Sequence, residues 1–434
     1  MKKNITSTIF LFVVFISTTF YSCSPDESNW THFRGSNLDG ISEVDFAPVK
    51  WTNDSNILWK TEIHDKGWSS PVIYGNQVWM TTALEKGEDM YAVCVDYETG
   101  ETIFDIILFT PDSIFRKHNI NSYATPTPCI EEGYVYVNFG RYGTACISTG
   151  KGSVVWQRTD LQCTDIQGPG SSLVLYKNTL IVHCEGIDVQ YIVALDKATG
   201  ETIWRTDRPK ELYDELGPIG KKAYITPLII NVNGRDLMIS NGSAVCIAYD
   251  PDTGEEVWRI PGGVDSTISM PFSDGKSVYF YTGFFTPEHD DPYADLEISY
   301  AELLAVNPDG QGDILETNVL WRMKAPILQL LTPIVKNGLI YTIDSKSIMM
   351  CIEAKTGEVI WSERVKGKFN ASPVYANGNI YFSSTQGNII VIKAGRELDI
   401  IAETKMDGEI WATPAILRNS ILVRTSKYLY RIGA

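Results

Sequence analysis

Nine side chains stand just ahead of recurrent Ser/Thr-Pro steps: Lys66, Trp68, Asn121, Tyr123, Gln167, Tyr224, Gln329, Asn370 and Trp411. Aromatic faces among amides suit stacking on sugar rings or peptide planes, and Lys66 can meet a carboxylate. A plug that fills a channel and bonds its backbone would use the same residue types, so composition leaves both readings open. Catalytic signatures are scarce. The chain has no G-x-S-x-G, no H-E-x-x-H and no glycine-rich phosphate loop. Its five histidines, His32, His64, His118, His183 and His289, are isolated in sequence. His289-Asp290-Asp291 with Asp295 or Glu297 offers the oxygen ligands that a hard cation takes, but a solvated loop is the simpler reading and no metal is expected. Asp250-x-Asp252-x-Gly254-Glu255-Glu256 has part of a calcium-loop spacing, yet it sits in a repeated turn that accounts for it. A formal charge of −16 argues against nucleic acid and against anionic membrane surfaces.

The elements that must position these residues form a repeat. Val193 to Trp204 shows it most clearly: an apolar strand, an Asp-x-x-Thr-Gly turn, and a second strand ending on an aromatic residue. Glycine accepts the positive φ such a turn needs, and the Asp carboxylate bonds backbone N–H groups two residues on. Further copies end at Phe104, Trp156, Trp258 and Trp361; a looser one reaches Trp321, and the last has Ile401 near the aromatic place. Ser/Thr-Pro steps precede the copies, with prolines at 71, 128, 227, 271, 333, 373 and 414; Met270 stands before Pro271, and Ser171-Ser172 fills the eighth slot without a proline. The intervals suit the roughly 40–50 residues of a four-stranded propeller blade. The fold class expected is all-β, an eight-bladed β-propeller of four-stranded blades. The segment after Pro414 has room for three short strands, and Asn56 to Thr61 is an orphan copy of the closing strand. An N-terminal strand around Trp59 should therefore complete the last blade and close the ring.

The remaining regions follow from that frame. Lys2 and Lys3 precede the apolar run Ile9–Ile16, and Phe20-Tyr21-Ser22-Cys23 is similar to a bacterial lipoprotein processing site. The division expected is a signal peptide over 1–22, a tether and arm over 23–55, and the propeller over 56–434, with Cys23 lipidated and holding the protein at a membrane. The arm, Trp30 to Trp51, should lie extended against the ring. Eight cysteines include no C-x-x-C and no adjacent pair, and several fall in apolar strands as small hydrophobes. Longer excursions occur at 109–124, 209–224 and 283–300, the second with one helical turn.

The closing pattern Ala/Val-x-Asp-x-x-Thr-Gly-Glu-x-x-Trp resembles the tryptophan-docking repeat of PQQ-type propellers, shared by quinoprotein dehydrogenases and BamB-like proteins. Trp30-x-x-Phe33-Arg34-Gly35, Leu58-Trp59-Lys60-Thr61, Asn121 to Pro128, Tyr142 to Cys146 and Asp188 to Tyr191 carry a closer likeness to the exported PQQ-binding-like propeller proteins of Planctomycetes and Bacteroidetes. The resemblance implies that each indole stacks on the neighbouring blade and donates its N–H to a backbone acceptor. It implies a monomeric outer membrane lipoprotein, on the periplasmic face or the cell surface, that binds or scaffolds through envelope proteins or a saccharide. A quinoprotein of this likeness would need a calcium site near the cofactor and a carboxylate base, and commonly has a vicinal disulfide. The disulfide is missing, and Asp188 is a base only by loop position. No cofactor is expected; PQQ with calcium, or carbohydrate chemistry at the channel mouth, is the competing reading.

Overall fold

The Asp-x-x-Thr-Gly turn is built as its residue types require. In a computed structural model that describes residues 28–52, 55–263, 266–283, 301–324 and 330–433, Asp96 Oδ1 accepts the N–H groups of Glu98 and Thr99 at 2.8 Å each. Asp196 does the same for Ala198 and Thr199, and Asp250 for Asp252 and Thr253. Asp250 is thus occupied by its own hairpin.

Eight antiparallel sheets follow one another around a ring. Blade 1 consists of Val72–Tyr74, Gln77–Ala83, Met90–Asp96 and Thr102–Phe109, from the innermost strand outward. Blade 2 runs from Cys129–Glu131 to Ser153–Arg158, blade 3 from Val174–Tyr176 to Thr202–Asp207, and blade 4 from Leu228–Val232 to Glu256–Pro261. Blade 5 spans Phe272–Ser273 to Val319–Lys324, blade 6 Ile334–Lys336 to Val359–Arg364, and blade 7 Val374–Ala376 to Asp399–Lys405. Blade 8 takes Ala415–Leu417, Ser420–Arg424 and Tyr428–Gly433 from the C-terminus and its outermost strand, Ile57–Glu62, from the N-terminus. The pairing of Trp59 with Arg431 closes the ring where the orphan strand predicts. Two blades gain a short parallel strand beyond the expected four: Gly312–Asp313 on the outer edge of blade 4, and Ile41–Ser42 on the inner edge of blade 7.

Tryptophan and glycine of one repeat never meet; each serves a neighbour. Trp59, Trp156, Trp204, Trp258, Trp321 and Trp361 donate their indole N–H to Tyr97, Lys197, Pro251, Pro308, Ala354 and Gly395 O, at 2.8 to 3.3 Å. In every case the acceptor belongs to the turn of the next blade. A Cβ on Gly200 would stand 2.7 Å from the Trp156 ring, so this turn needs glycine for contact as well as for its φ of +77°. Outer strand pairs carry a register shift beside the aromatic position in all eight blades, a bulge that re-aims the side chain. Phe104 and Ile401 have no N–H to donate and leave their joints to packing. The seam between blades 8 and 1 carries extra polar links: buried Arg424 donates to Ser69 and Thr81, and Arg431 to Tyr97 O and Glu98.

The arm corrects one expectation. It does not merely lie against the ring but crosses the channel. Trp30 pairs with Ile73 of blade 1, Thr31 O accepts Ile130 N–H of blade 2, and His32 Nε2 accepts Leu175 N–H of blade 3. On the far side Arg34 donates to Thr332 O at 2.7 Å and Pro333 O at 2.8 Å in blade 6, and Gly40 O accepts Tyr375 N–H of blade 7. Between Trp30 and the strand Ile41–Ser42 the arm is a run of turns and not the extended segment expected, and its polar groups meet the inner edges and stopper the hole. Cys94, Cys129, Cys146, Cys163, Cys184, Cys246 and Cys351 are free thiols, and all but Cys163 are buried. The helical turn expected in the second excursion is Lys210–Asp214. Cys23, the 1–22 signal, the His289 to Glu297 group and Gln329 lie outside the described residues.

Candidate functional site

The Ser/Thr-Pro steps build the wall of the channel. Each hydroxyl accepts the backbone N–H of the corresponding residue in the preceding blade: Ser70 N to Thr127 Oγ1, Thr127 N to Ser172 Oγ, and Ser172 N to Thr226 Oγ1, at 2.9, 2.9 and 3.2 Å. The series resumes from Met270 N to Thr332 Oγ1, then Thr332 N to Ser372 Oγ, Ser372 N to Thr413 Oγ1, and Thr413 N to Ser70 Oγ, all at 3.0 Å. Seven bonds run round the ring and close across the seam. The one interruption is Met270, which has a proline after it but no hydroxyl to offer Thr226. Ser172 keeps its place without the proline. In all seven hydroxyls the oxygen is used as an acceptor, while the O–H has no acceptor among the described residues. The result is a belt of seven donors.

Above the belt and below the mouth lies a cavity of about 250 Å³. All seven hydroxyl residues line it, and Phe33 of the arm contributes from below, so the channel is a cup. Six of the nine residues named from sequence line it as well: Trp68, Asn121, Gln167, Tyr224, Asn370 and Trp411. Trp68 and Trp411 stack at 5.0 Å and 16° across the seam, their N–H groups held by Ile120 O and Glu409 Oε2. Their outer faces make the aromatic shelf. Asn121 is committed to structure, donating to Gln167 O and Pro169 O and accepting from Ser122 N. Lys66 stands beside the cup with its ammonium 5.4 Å from the Trp68 ring. Tyr123 is turned away from it, buried in the blade 1–2 core with its hydroxyl on Phe115 O.

His118, Ile120, Ile268 and Leu330 complete the upper wall. The loop carrying His118 and Ile120 was visible as an excursion; the two apolar residues opposite had no sequence signal. No Asp, Glu, Lys or Arg lines the cup among the described residues.

Charge is concentrated elsewhere. Glu185, His183 and Arg208 are buried together between blades 3 and 4, with Tyr213 and Ser243 also bonding the carboxylate. Burial works against the Glu185 charge, but Arg208 and His183 outweigh it and hold the pKa down to about 2. The group is fully satisfied and locks blades 3 and 4 together. Nearby Asp165 is pushed up to about 7 by burial. Asp188 accepts from Thr164 N, Thr164 Oγ1 and Val189 N, which makes it a loop clip and not a free base.

Fold and site together define an eight-bladed propeller with tryptophan-docked blades and a stoppered, uncharged cup. The family described as outer membrane protein assembly factor BamB matches over residues 49–206 and 188–397, and the chain belongs to that family. Among solved structures it is similar to BamB from Moraxella catarrhalis, at a TM-score of 0.57 and 11% identity over 87% of this chain and 99% of that one. It is also similar to the quinohemoprotein alcohol dehydrogenase of Comamonas testosteroni, at 0.64 and 11% over 94% and 81%. At such identities these share the fold alone. Tetrathionate hydrolase of Acidithiobacillus ferrooxidans is 28% identical over 141 residues, 31% of this chain and 28% of that protein's length.

Proposed function

We propose that the protein is a binding module whose stoppered channel mouth receives a saccharide, and that it acts without PQQ. The observation that carries this reading is the composition of the cup: an aromatic shelf, amides and seven O–H donors, with no Asp, Glu, Lys or Arg among the described lining. Sugar rings present C–H faces to aromatic planes and acceptor oxygens to hydroxyl donors. A volume of about 250 Å³ lies just below the range of roughly 300 Å³ and up for whole small ligands, which suits one terminal ring with the rest of the chain outside.

PQQ fits this lining poorly. It is a tricarboxylate whose chemistry, when bound with calcium, is quinone oxidation of an alcohol; its carboxylates and its metal both call for charged partners that the cup does not supply. Paired carboxylates for glycoside hydrolysis are equally missing from the described lining. Membership in a family described as an assembly factor favours a place in the cell envelope, with envelope proteins as further partners, a lipid anchor at Cys23 and a monomeric state. Thermal unfolding with neutral and acidic oligosaccharides, beside PQQ plus calcium, tests the reading, since a ligand of the native state raises the melting temperature. A rise with sugars that Trp68→Ala and Asn370→Ala abolish supports it. A rise with PQQ and calcium alone would overturn it.

A further inference from the structure

One stretch of the cup's rim is cationic in a chain of net charge −16. Lys66 Nζ lies 5.4 Å from the Trp68 ring, and Lys117 Nζ lies 5.4 Å from the Tyr123 ring. The two are tied into one structure, because Ser122 Oγ donates to Lys66 O at 3.1 Å beside Tyr123. Lys117 packs against the cup itself: a Cβ on Gly168 would come within 2.9 Å of Lys117 Cβ and 3.1 Å of Asn121 Nδ2. Among the described residues Lys66 has a single carboxylate partner, Glu85, at 3.6 Å, on a side chain that is 79% exposed. No carboxylate of the described residues lies within ion-pair distance of Lys117. Burial, and then the charge of Lys66, pull the Lys117 pKa down, while the carboxylate of Glu85 pulls it back up, so Glu85 faces both ammoniums.

We propose that this rim selects acidic sugars: a pyranose on the Trp68 shelf places an anionic oxygen group, a uronate carboxylate or a sulfate ester, between Lys66 and Lys117. The inference rests on the saccharide reading above. No Lys or Arg lines the interior of the cup among the described residues, so an anionic substituent is favoured at the rim, where its arrival relieves the repulsion between the ammoniums. Glu85 then acts as an internal competitor that the ligand displaces from Lys66.

Calorimetric titration of the full chain with a trigalacturonate, its neutral methyl ester and a sulfated trisaccharide, at low and high salt, decides it. The acid should bind about tenfold tighter than its ester at low salt and lose that margin at high salt. Lys66→Met and Lys117→Met should each narrow the margin of acid over ester, while Glu85→Gln should widen it. The uronate and sulfate arms identify which anion is preferred. Equal affinity for acid and ester, with ester binding intact, would overturn the acidic selection but spare the saccharide reading. Failure of all three sugars to bind would overturn both.

Discussion

Replacing Thr413 by valine isolates what the hydroxyl ring contributes. Valine matches threonine in shape, so packing at this buried position is conserved and only the Oγ1 acceptor is lost. Ser372 N–H, which donates to it at 3.0 Å, then faces a methyl group in a site where Ser372 is also buried. The lost O–H has no partner in the native wall and costs nothing. An unsatisfied buried N–H costs about 1–3 kcal/mol. Unfolding entropy of roughly 2.1 cal/mol/K per residue, over a propeller of about 400 residues, gives about 0.8 kcal/mol/K, so the melting temperature should fall by about 1–4 °C. Denaturant titration should show the same loss at an unchanged m-value. Amide exchange at Ser372 should accelerate while protection of distant blades follows only the global change. Ser172→Ala removes the equivalent acceptor of Thr127 N–H in blade 3, and because it shares no partner with Thr413 or Ser372, the double variant should be close to additive. Wild-type stability and undiminished Ser372 protection in Thr413→Val would refute the ring as a stabilising device and make it a mere lining.

Two further outcomes concern the arm and the docking joints. His32 is held neutral by burial, with a pKa of about 4 against an ordinary 6.5, and its Nε2 accepts from Leu175. The unfolded chain therefore takes the proton first as pH falls, so stability is full above about 6.5 and declines by about 3 kcal/mol on the way to pH 4; in His32→Gln, chemical denaturation across that window should lack this component. Gly200→Ala should cost roughly 1–2 kcal/mol for a left-handed alanine, plus about 1 kcal/mol from the displaced Trp156 stacking. Near-ultraviolet dichroism of the indole band should weaken with it, and an unchanged spectrum with unchanged stability would remove the joint from the account.

The ring architecture was legible because closure leaves a residue-level record at both ends of the chain. Trp59 with no turn behind it and Pro414 with no closing strand after it describe the one strand and the three strands of a single blade. The inner-strand motif was legible as position but not as chemistry. Its proline drew attention, whereas the hydroxyl makes the bond: Met270 keeps the proline and breaks the ring, and Ser172 lacks the proline and preserves it. A bond between equivalent residues of adjacent blades, some 40 to 60 positions apart, has no local pattern to betray it. The arm shows the same limit. Its residues bond the inner edges of five blades far away in sequence, so Trp30, His32 and Arg34 read as scattered aromatics and charges until the edges they satisfy are in place.

Tyr123 and Trp68 make the point at the site. Both precede a Ser/Thr-Pro step by similar distances, yet Trp68 forms the shelf and Tyr123 the core beneath it, because the 109–124 excursion bends back over blade 1 and brings Phe115 O to the tyrosine hydroxyl. The same bend delivers Lys117 to the rim. An insertion that buries one aromatic and presents one cation converts a symmetric channel into a sided cup. Any selectivity of the mouth should therefore lie on the blade 1–2 side, where the propeller departs from its own repeat.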